Sequence, residues 1–292
     1  MLSQLKRCAA SIADQEGVSF EHLVIDGAST DGTREWLRQN PQIRSISEKD
    51  DGMYHAINKG LRLATGDIVA YLNCDEQYVP GTLLYVKRYL QAHPKVEFVY
   101  GNCLVIDPEG NLMAFKKSYP LRSQYVLASS LYASTCTLFF RRKLFETGLE
   151  FDTNLRAVSD ADFVVKLLKH GFRYHHLKRY FAAFTLTGQN LSWTEIGLRE
   201  LLDMHKRNAG WLRYFRYPLL VMELFEKVLS GAFWERLPIT YSVYIKDLSD
   251  GRKTFSSSTV SFSYKSGSKS RMLFVQAANA IMSLRKSSTE SP

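Results

Sequence analysis

The sequence predicts an α/β protein built on a doubly wound, mainly parallel sheet, with a helical C-terminal appendage. Three observations carry this. Short apolar runs alternate with helix-periodic segments from residue 21 to residue 170, the pattern of βα units. The run Ile68-Val69-Ala70-Tyr71-Leu72 is nearly continuous in apolar character, as in a strand covered on both faces. Polarity then flips at the carboxyl ends of two runs, at Asp26-Gly27 and at Asn73-Cys74-Asp75-Glu76. Open α/β sheets bind their ligands at such strand ends.

The elements follow in order. Residues 2–15 place apolar side chains near helical spacing, and residues 21–25 read as a strand ending in the polar loop 26–33. A helix over 34–39 stops near Asn40-Pro41, and residues 43–47 form the next strand. Asp50, Asp51 and Gly52 open a helix over 53–63 with carboxylates at its positive pole. Gly66 suits its left-handed stop. A helix is expected over 82–92, then a strand over 96–100. Apolar runs 104–106 and 112–115 flank Asp107-Pro108-Glu109-Gly110-Asn111, a hairpin signal. Residues 134–142 read as a strand, and Ser159 or Asp160 caps a helix over 161–170. Residues 174–176 and 182–184 read as two short strands. His175-His176 is no metal pair, because neighbours on a strand face opposite ways.

From Trp193 the pattern turns helical, over 195–206 and again over 218–233, joined by the aromatic and basic stretch Trp211–Tyr217. That stretch suits contact with an anionic membrane surface. The expected organisation is a domain over 1–192, a helical basic-aromatic appendage over 193–250, and a Ser/Lys-rich flexible tail over 251–292, with one short helix over 273–284.

Net charge is +9 over 292 residues, compatible with nucleic acid, anionic lipid or an anionic substrate. No reading helix or base-stacking platform accompanies it, so specific nucleic-acid binding is not expected. Cys8, Cys74, Cys103 and Cys136 form no C-x-x-C pair or Cys/His cluster, which argues against zinc and for a reducing compartment. The N-terminus lacks the apolar core of a signal peptide, and no apolar run approaches the ~20 residues that span a bilayer. The adjacent Asp75 and Glu76, after an apolar strand, point to a hard divalent cation.

The stretch SEKDDGMYHAINKGLRLATGDIVAYLNCDE, residues 47–76, resembles the core of the family 2 glycosyltransferases, in the subgroup that builds bacterial polysaccharides. The matches fall at fixed spacing: Ser47, Glu48, Asp50, Gly52, Tyr54, Ala56, Asn58, Lys59, Gly60, then Ala64-Thr65-Gly66-Asp67, then Leu72, Asn73 and Asp75. VIDGASTDGT at 24–33, STCTLFFRR at 134–142 and RAVSDADF at 156–163 resemble further motifs of that family.

The resemblance implies a GT-A fold and an inverting transfer from a nucleoside diphosphate sugar to a hydroxyl of a glycan or lipid-linked acceptor. It implies Mg²⁺ or Mn²⁺ at Asp75 and Glu76, and Asp160 as the general base. It places Asp26 on the nucleotide base, and Asp50, Tyr54, Asn58, Lys59 and Asn73 around the nucleotide sugar. It implies work on the cytoplasmic side, at the inner face of the cell membrane. Four departures stand out. Glu76 replaces a second Asp, and Thr135 and Cys136 stand where His and Gln are common. The family also begins one strand earlier, so a core short of one central strand is expected, with two unpaired strand edges. These departures leave a non-catalytic relative that keeps the fold as the alternative function.

Overall fold

The computed structural model describes residues 1–186, 194–246 and 248–260. In chain order the elements are α1 (Leu2–Ala13), β1 (Leu23–Asp26), α2 (Thr33–Arg38), β2 (Arg44–Ser47), α3 (Met53–Leu63), β3 (Ile68–Val69), β4 (Glu76–Tyr78), α4 (Thr82–Ala92), β5 (Phe98–Ile106) and β6 (Leu112–Lys116). There follow α5 (Ser123–Ala128), β7 (Phe139–Arg141), α6 (Ser159–Lys169), β8 (Tyr174–Thr185), α7 (Glu195–Ala209), α8 (Arg216–Leu229), β9 (Ile239–Val243) and β10 (Lys253–Ser257). Tight 3-10 turns occupy Thr135–Thr137, Arg142–Thr147 and Gly210–Phe215.

The α/β class is the one expected, with a mixed sheet. The main sheet runs β3-β7-β5-β8-β4, with β6 beside β5. β5 and β8 pair in parallel, and the remaining pairs of this sheet are antiparallel. β1 and β2 form a separate parallel pair. Strand β5 is the spine: all nine of its residues are buried, so its apolar character is needed on both faces. It bends through two register shifts next to Gly101. A Cβ on Gly101 would stand 2.5 Å from the Phe181 ring and 2.7 Å from the Arg179 carbonyl.

The sheet's division corrects one expectation. The apolar run 68–72 forms ladder bonds only at Ile68 and Val69, against Arg141 and Phe140 of β7. Ala70, Tyr71 and Leu72 continue as partly buried chain outside any strand. Among the described residues β3 pairs on one side only, with β7, so it ends the large sheet. Helix α1 spans both parts. Its Leu5 and Ala9 pack with Val24, Leu37 and Ile43 of the small part, and Ile12 packs with Ile68, Ala70 and Leu72 of the large one. Ser11 accepts from the Tyr78 N–H at 3.1 Å, and Gln15 donates to the Val79 carbonyl at 3.1 Å.

Helix α3 lies on β1, with Gly60 3.5 Å from Ile25 at the position a Cβ would take. Its buried Asn58 binds a distant backbone at both ends of its amide. Nδ2 donates to the Phe151 carbonyl at 2.8 Å, and Oδ1 accepts from the Phe151 N–H at 3.0 Å. The Phe151 ring stacks on Phe163 of α6 at 4.2 Å and on Tyr54 of α3 at 5.8 Å.

Other boundaries differ for reasons of partnership. Residues 174–185 form one strand rather than two, because β5 flanks them along most of their length and β4 joins at 182–184. Residues 135–137 make a 3-10 turn ahead of β7. The helix α6 starts at Ser159 with Val158 as its cap and no capping side chain. Within the stretch expected to be tail, residues 253–257 form a strand, β10. β10 pairs with β9, whose Ile239, Tyr241 and Val243 pack on Leu104, Ile106 and Phe115. Arg252 binds Asp14 of α1 through Nε at 2.5 Å and Nη2 at 2.8 Å. Residues 187–193 and the helix expected over 273–284 lie outside the described residues. All four cysteines are free.

Replacing Gly101 with alanine is expected to cost roughly 1–3 kcal/mol, because the strand cannot move away from both Phe181 and the Arg179 carbonyl. Asn58→Ala is expected to cost about 2–4 kcal/mol, since it leaves a buried N–H and carbonyl of Phe151 unpaired. Urea unfolding of each variant beside the parent chain measures both.

Candidate active site

The acidic residues singled out in the sequence fall into two groups. The first gathers on the small sheet. Asp26 closes β1, is buried, and accepts from the Ser47 hydroxyl at 2.5 Å and the Ser29 N–H at 3.2 Å. These bonds fix the loop after β1, where Ala28 takes a left-handed φ of +60°. A non-glycine residue held there is strained, and strain of this kind collects at ligand sites. Asp50 caps the approach to α3 by accepting from the Gly52 N–H at 2.9 Å. Its carboxylate lies against Gly27: a Cβ there would stand 2.8 Å from Asp50 Oδ2. The loops that carry Asp26 and Asp50 are therefore in contact, and Gly27 permits it.

The second group gathers where α3, β3 and α6 meet. Asp160, in the first turn of α6, accepts from the Ala161 N–H at 2.8 Å and from the Tyr54 hydroxyl at 3.3 Å. Burial raises its proton affinity above the ordinary Asp value, and the bonds from Ala161 and Tyr54 oppose that rise. Tyr71 completes the arrangement. Its ring meets Phe151 edge-on at 5.6 Å. Burial pushes the Tyr71 phenol well up, and the nearby charges of Asp160 and Glu76 add to this. Tyr71 thus feels the charges of both Asp160 and Glu76. The sequence reading missed Tyr71 and Phe151. Their signal was weak: aromatic side chains in apolar surroundings look like ordinary core.

Asp75 and Glu76 part company. Asp75 is partly exposed just before β4, and burial raises its proton affinity. Glu76 is the first residue of β4 and is buried. Its Oε2 accepts from the Asn73 N–H at 2.6 Å. Burial, then the Asp75 charge, pushes it up to about 8. Of the expected pair of cation ligands, Glu76 turns inward to hold the Asn73 turn, and Asp75 stays partly exposed. Asn73 contributes its backbone to that turn.

Two more residues expected around a ligand serve the scaffold. The Asn58 amide is taken at both ends by Phe151. Lys59 ion-pairs with Glu48, whose backbone N–H bonds the Asp26 carbonyl at 3.0 Å. Asp162 pairs with Lys166 at 2.8 Å.

Among the described residues no cluster of three or more His, Cys, Asp or Glu is placed to hold a metal. Mg²⁺ and Mn²⁺ do not require such a cage, since one or two carboxylates together with substrate phosphates suffice. The partly exposed Asp75 fits that mode of binding, and the inward Glu76 does not.

The chain has relatives among known proteins. The chain is 26% identical over 222 residues to the hyaluronan synthase of Pasteurella multocida, covering 73% of this chain and 22% of that protein. It is 27% identical over 206 residues to the chondroitin synthase of Escherichia coli, covering 69% of this chain and 29% of that one. It is 30% identical over 185 residues to a PGL/p-HBAD biosynthesis glycosyltransferase of Mycobacterium bovis, covering 59% and 69% of the two. The chain therefore spans under a third of the length of the two polysaccharide synthases.

Among solved structures, the mannosyltransferase PcManGT of Pyrobaculum calidifontis, in complex with GDP-Man and Mn²⁺, superposes with a TM-score of 0.53 at 21% identity, covering 79% of this chain and 73% of that one. The S. aureus TarS 1-349 complex with UDP also gives 0.53, at 18% identity, covering 70% and 61%. These likenesses show the GT-A fold. Residues 2–149 match the family described as "Glycosyl transferase family 2", and with half of the chain so matched, this protein belongs to that family.

Proposed function

We propose that this chain is an inverting glycosyltransferase. It moves a sugar from a nucleoside diphosphate sugar to a hydroxyl of a glycan or lipid-linked acceptor, in bacterial envelope or exopolysaccharide assembly on the cytoplasmic side. The observation that carries this reading is Asp160: a carboxylate in the first turn of a buried helix, bonded by Tyr54, with its proton affinity raised by burial. A general base needs this combination of fixed position and tuned affinity.

Asp160 accepts the proton of the acceptor hydroxyl as that oxygen bonds the anomeric carbon. The bond from that carbon to the diphosphate oxygen breaks, and its electron pair leaves with the nucleoside diphosphate. A single displacement inverts the centre. Asp26, anchored by Ser47 and Ser29, holds the base of the nucleotide, and Asp50 supports the adjoining loop. Asp75 holds a divalent cation, with Glu76 positioning the turn behind it. A bound Mg²⁺ or Mn²⁺ would neutralise charge on the leaving diphosphate. The complexes of similar folds with UDP and with GDP-Man and Mn²⁺ support this donor class.

Kinetics and calorimetry on one variant test the base. Asp160→Asn is expected to lower kcat by about 10²–10⁴-fold while affinity for nucleoside diphosphate stays at the parent value. A variant with undiminished turnover would remove Asp160 from the mechanism. One observation favours the non-catalytic alternative, the withdrawal of Glu76 from the ligand side. A parent chain that binds nucleotide yet turns over no faster than Asp160→Asn would select it.

The pH profile tests the tuning. The base works only when ionised, so kcat/KM is expected to fall as pH drops through a pKa raised above the ordinary Asp value. The Tyr54 bond favours the ionised form, so Tyr54→Phe raises that pKa further and moves the acid limb to higher pH. An acid limb unmoved by the substitution would contradict the contact.

A further inference from the structure

We propose that the outward face of α8, with the aromatic turn that precedes it, rests on an anionic lipid bilayer. Helix α8 is inside out. Its acids face the protein: Glu223 is buried and accepts from the Tyr119 hydroxyl at 2.6 Å. Glu226 accepts from Arg122 Nε at 2.6 Å and Nη2 at 2.9 Å. Four of its apolar residues face outward, while Leu219, Leu220, Leu224 and Val228 are half-buried. Val221, Met222, Phe225 and Leu229 are 53%, 56%, 64% and 85% exposed. A helix on a water-facing surface arranges these the other way round. Two aromatics extend the patch, Trp211 at 68% and Tyr217 at 81% exposed. Rings of this kind, apolar in body and polar at one edge, suit the boundary between headgroups and acyl chains.

The face lies on a membrane rather than through one. Helix α8 has 14 residues, roughly 21 Å of rise, and no helix among the described residues is long and apolar enough to cross. A helix of this kind buries one face in the plane of the interface.

Charge decides for lipid over a second copy of the chain. The acids of α7 and α8 are already engaged. Glu195 pairs with Arg199 and Asp203 with Lys206. Glu200 accepts from the N–H groups of Arg156 and Ala157, at 2.8 Å each. Arg207 and Arg216 are exposed with no acid paired to either among the described residues. A two-fold contact between identical faces would set like charges near one another, whereas anionic headgroups satisfy them.

The bond from Glu200 to Arg156 and Ala157 also ties α7 to the turn that carries Asp160. If the transfer reading holds, docking presents the base to a lipid-linked acceptor in the plane of its membrane. That consequence rests on the proposed function; the docking itself does not.

Co-sedimentation of the full chain with vesicles tests the docking. One set is phosphatidylcholine alone, and the other contains three parts in ten of phosphatidylglycerol. The parent is expected to bind the anionic vesicles at least tenfold more tightly than the neutral ones. Phe225→Glu with Leu229→Glu is expected to weaken that binding at least tenfold, and Arg207→Glu severalfold. All three side chains are exposed, so circular dichroism and melting temperature should match the parent.

Parent-like binding by the double variant would overturn the proposal, as would a parent that ignores anionic vesicles. A dimer seen by analytical ultracentrifugation and dissolved by the double variant would assign the face to a second copy instead. Transfer to a water-soluble acceptor, measured on the same variants, is expected to be unchanged. Failure at the vesicles with that activity intact overturns the docking alone.

Discussion

The candidate site depends on one reciprocal contact, the buried amide of Asn58 bound at both ends to the backbone of Phe151. It joins two segments 93 residues apart in the chain. The Phe151 ring then stacks on Phe163 and Tyr54 and meets Tyr71 at its edge. Three elements are thereby held around one aromatic side chain: α3 through Tyr54, the chain after β3 through Tyr71, and α6 through Phe163. Asp160 sits three residues before Phe163, so its meeting with Tyr54 follows from the stack. Packing of rigid rings fixes position more tightly than hydrogen bonds alone, because each ring has few rotamers and interiors tolerate little empty space.

The second constraint is the division of the sheet. Asp26 belongs to the β1-β2 pair, whereas Asp75 and Asp160 belong to the larger part. No ladder bonds join the two parts among the described residues. Their relative placement is set by α1, which packs on both, and by α3, which lies on β1 and reaches Asp160. Within the small part, Gly27 lets the loops after β1 and β2 meet at Asp50. A nucleotide sugar that bridges Asp26 and Asp75 would therefore span both parts and add a link between them.

Much of the fold was legible because it is local. The helix over 82–92 is exactly α4 in extent, and the hairpin at Asp107–Asn111 forms between β5 and β6 as its turn residues imply. What stayed hidden depends on partners. The run 68–72 reads as a buried strand by composition, yet only two of its residues find a ladder neighbour. Asp75 and Glu76 read as a pair because they adjoin, but the start of β4 sends one outward and the other under the Asn73 N–H. Asn58 falls in the motif and serves the fold. For α8 the amphipathic period was visible, but period alone does not say which side faces the protein. The buried bonds of Glu223 and Glu226 do.

The most direct measurement is a crystal structure of the Asp160→Asn chain with a nucleoside diphosphate sugar and Mn²⁺, in which turnover is blocked and the donor stays whole. The expected result is one ligand touching all three places: its base against Asp26, its diphosphate and the cation at Asp75, and the anomeric carbon facing residue 160. A donor seated away from Asp26, or a cation held without Asp75, would contradict the convergence on which the account rests.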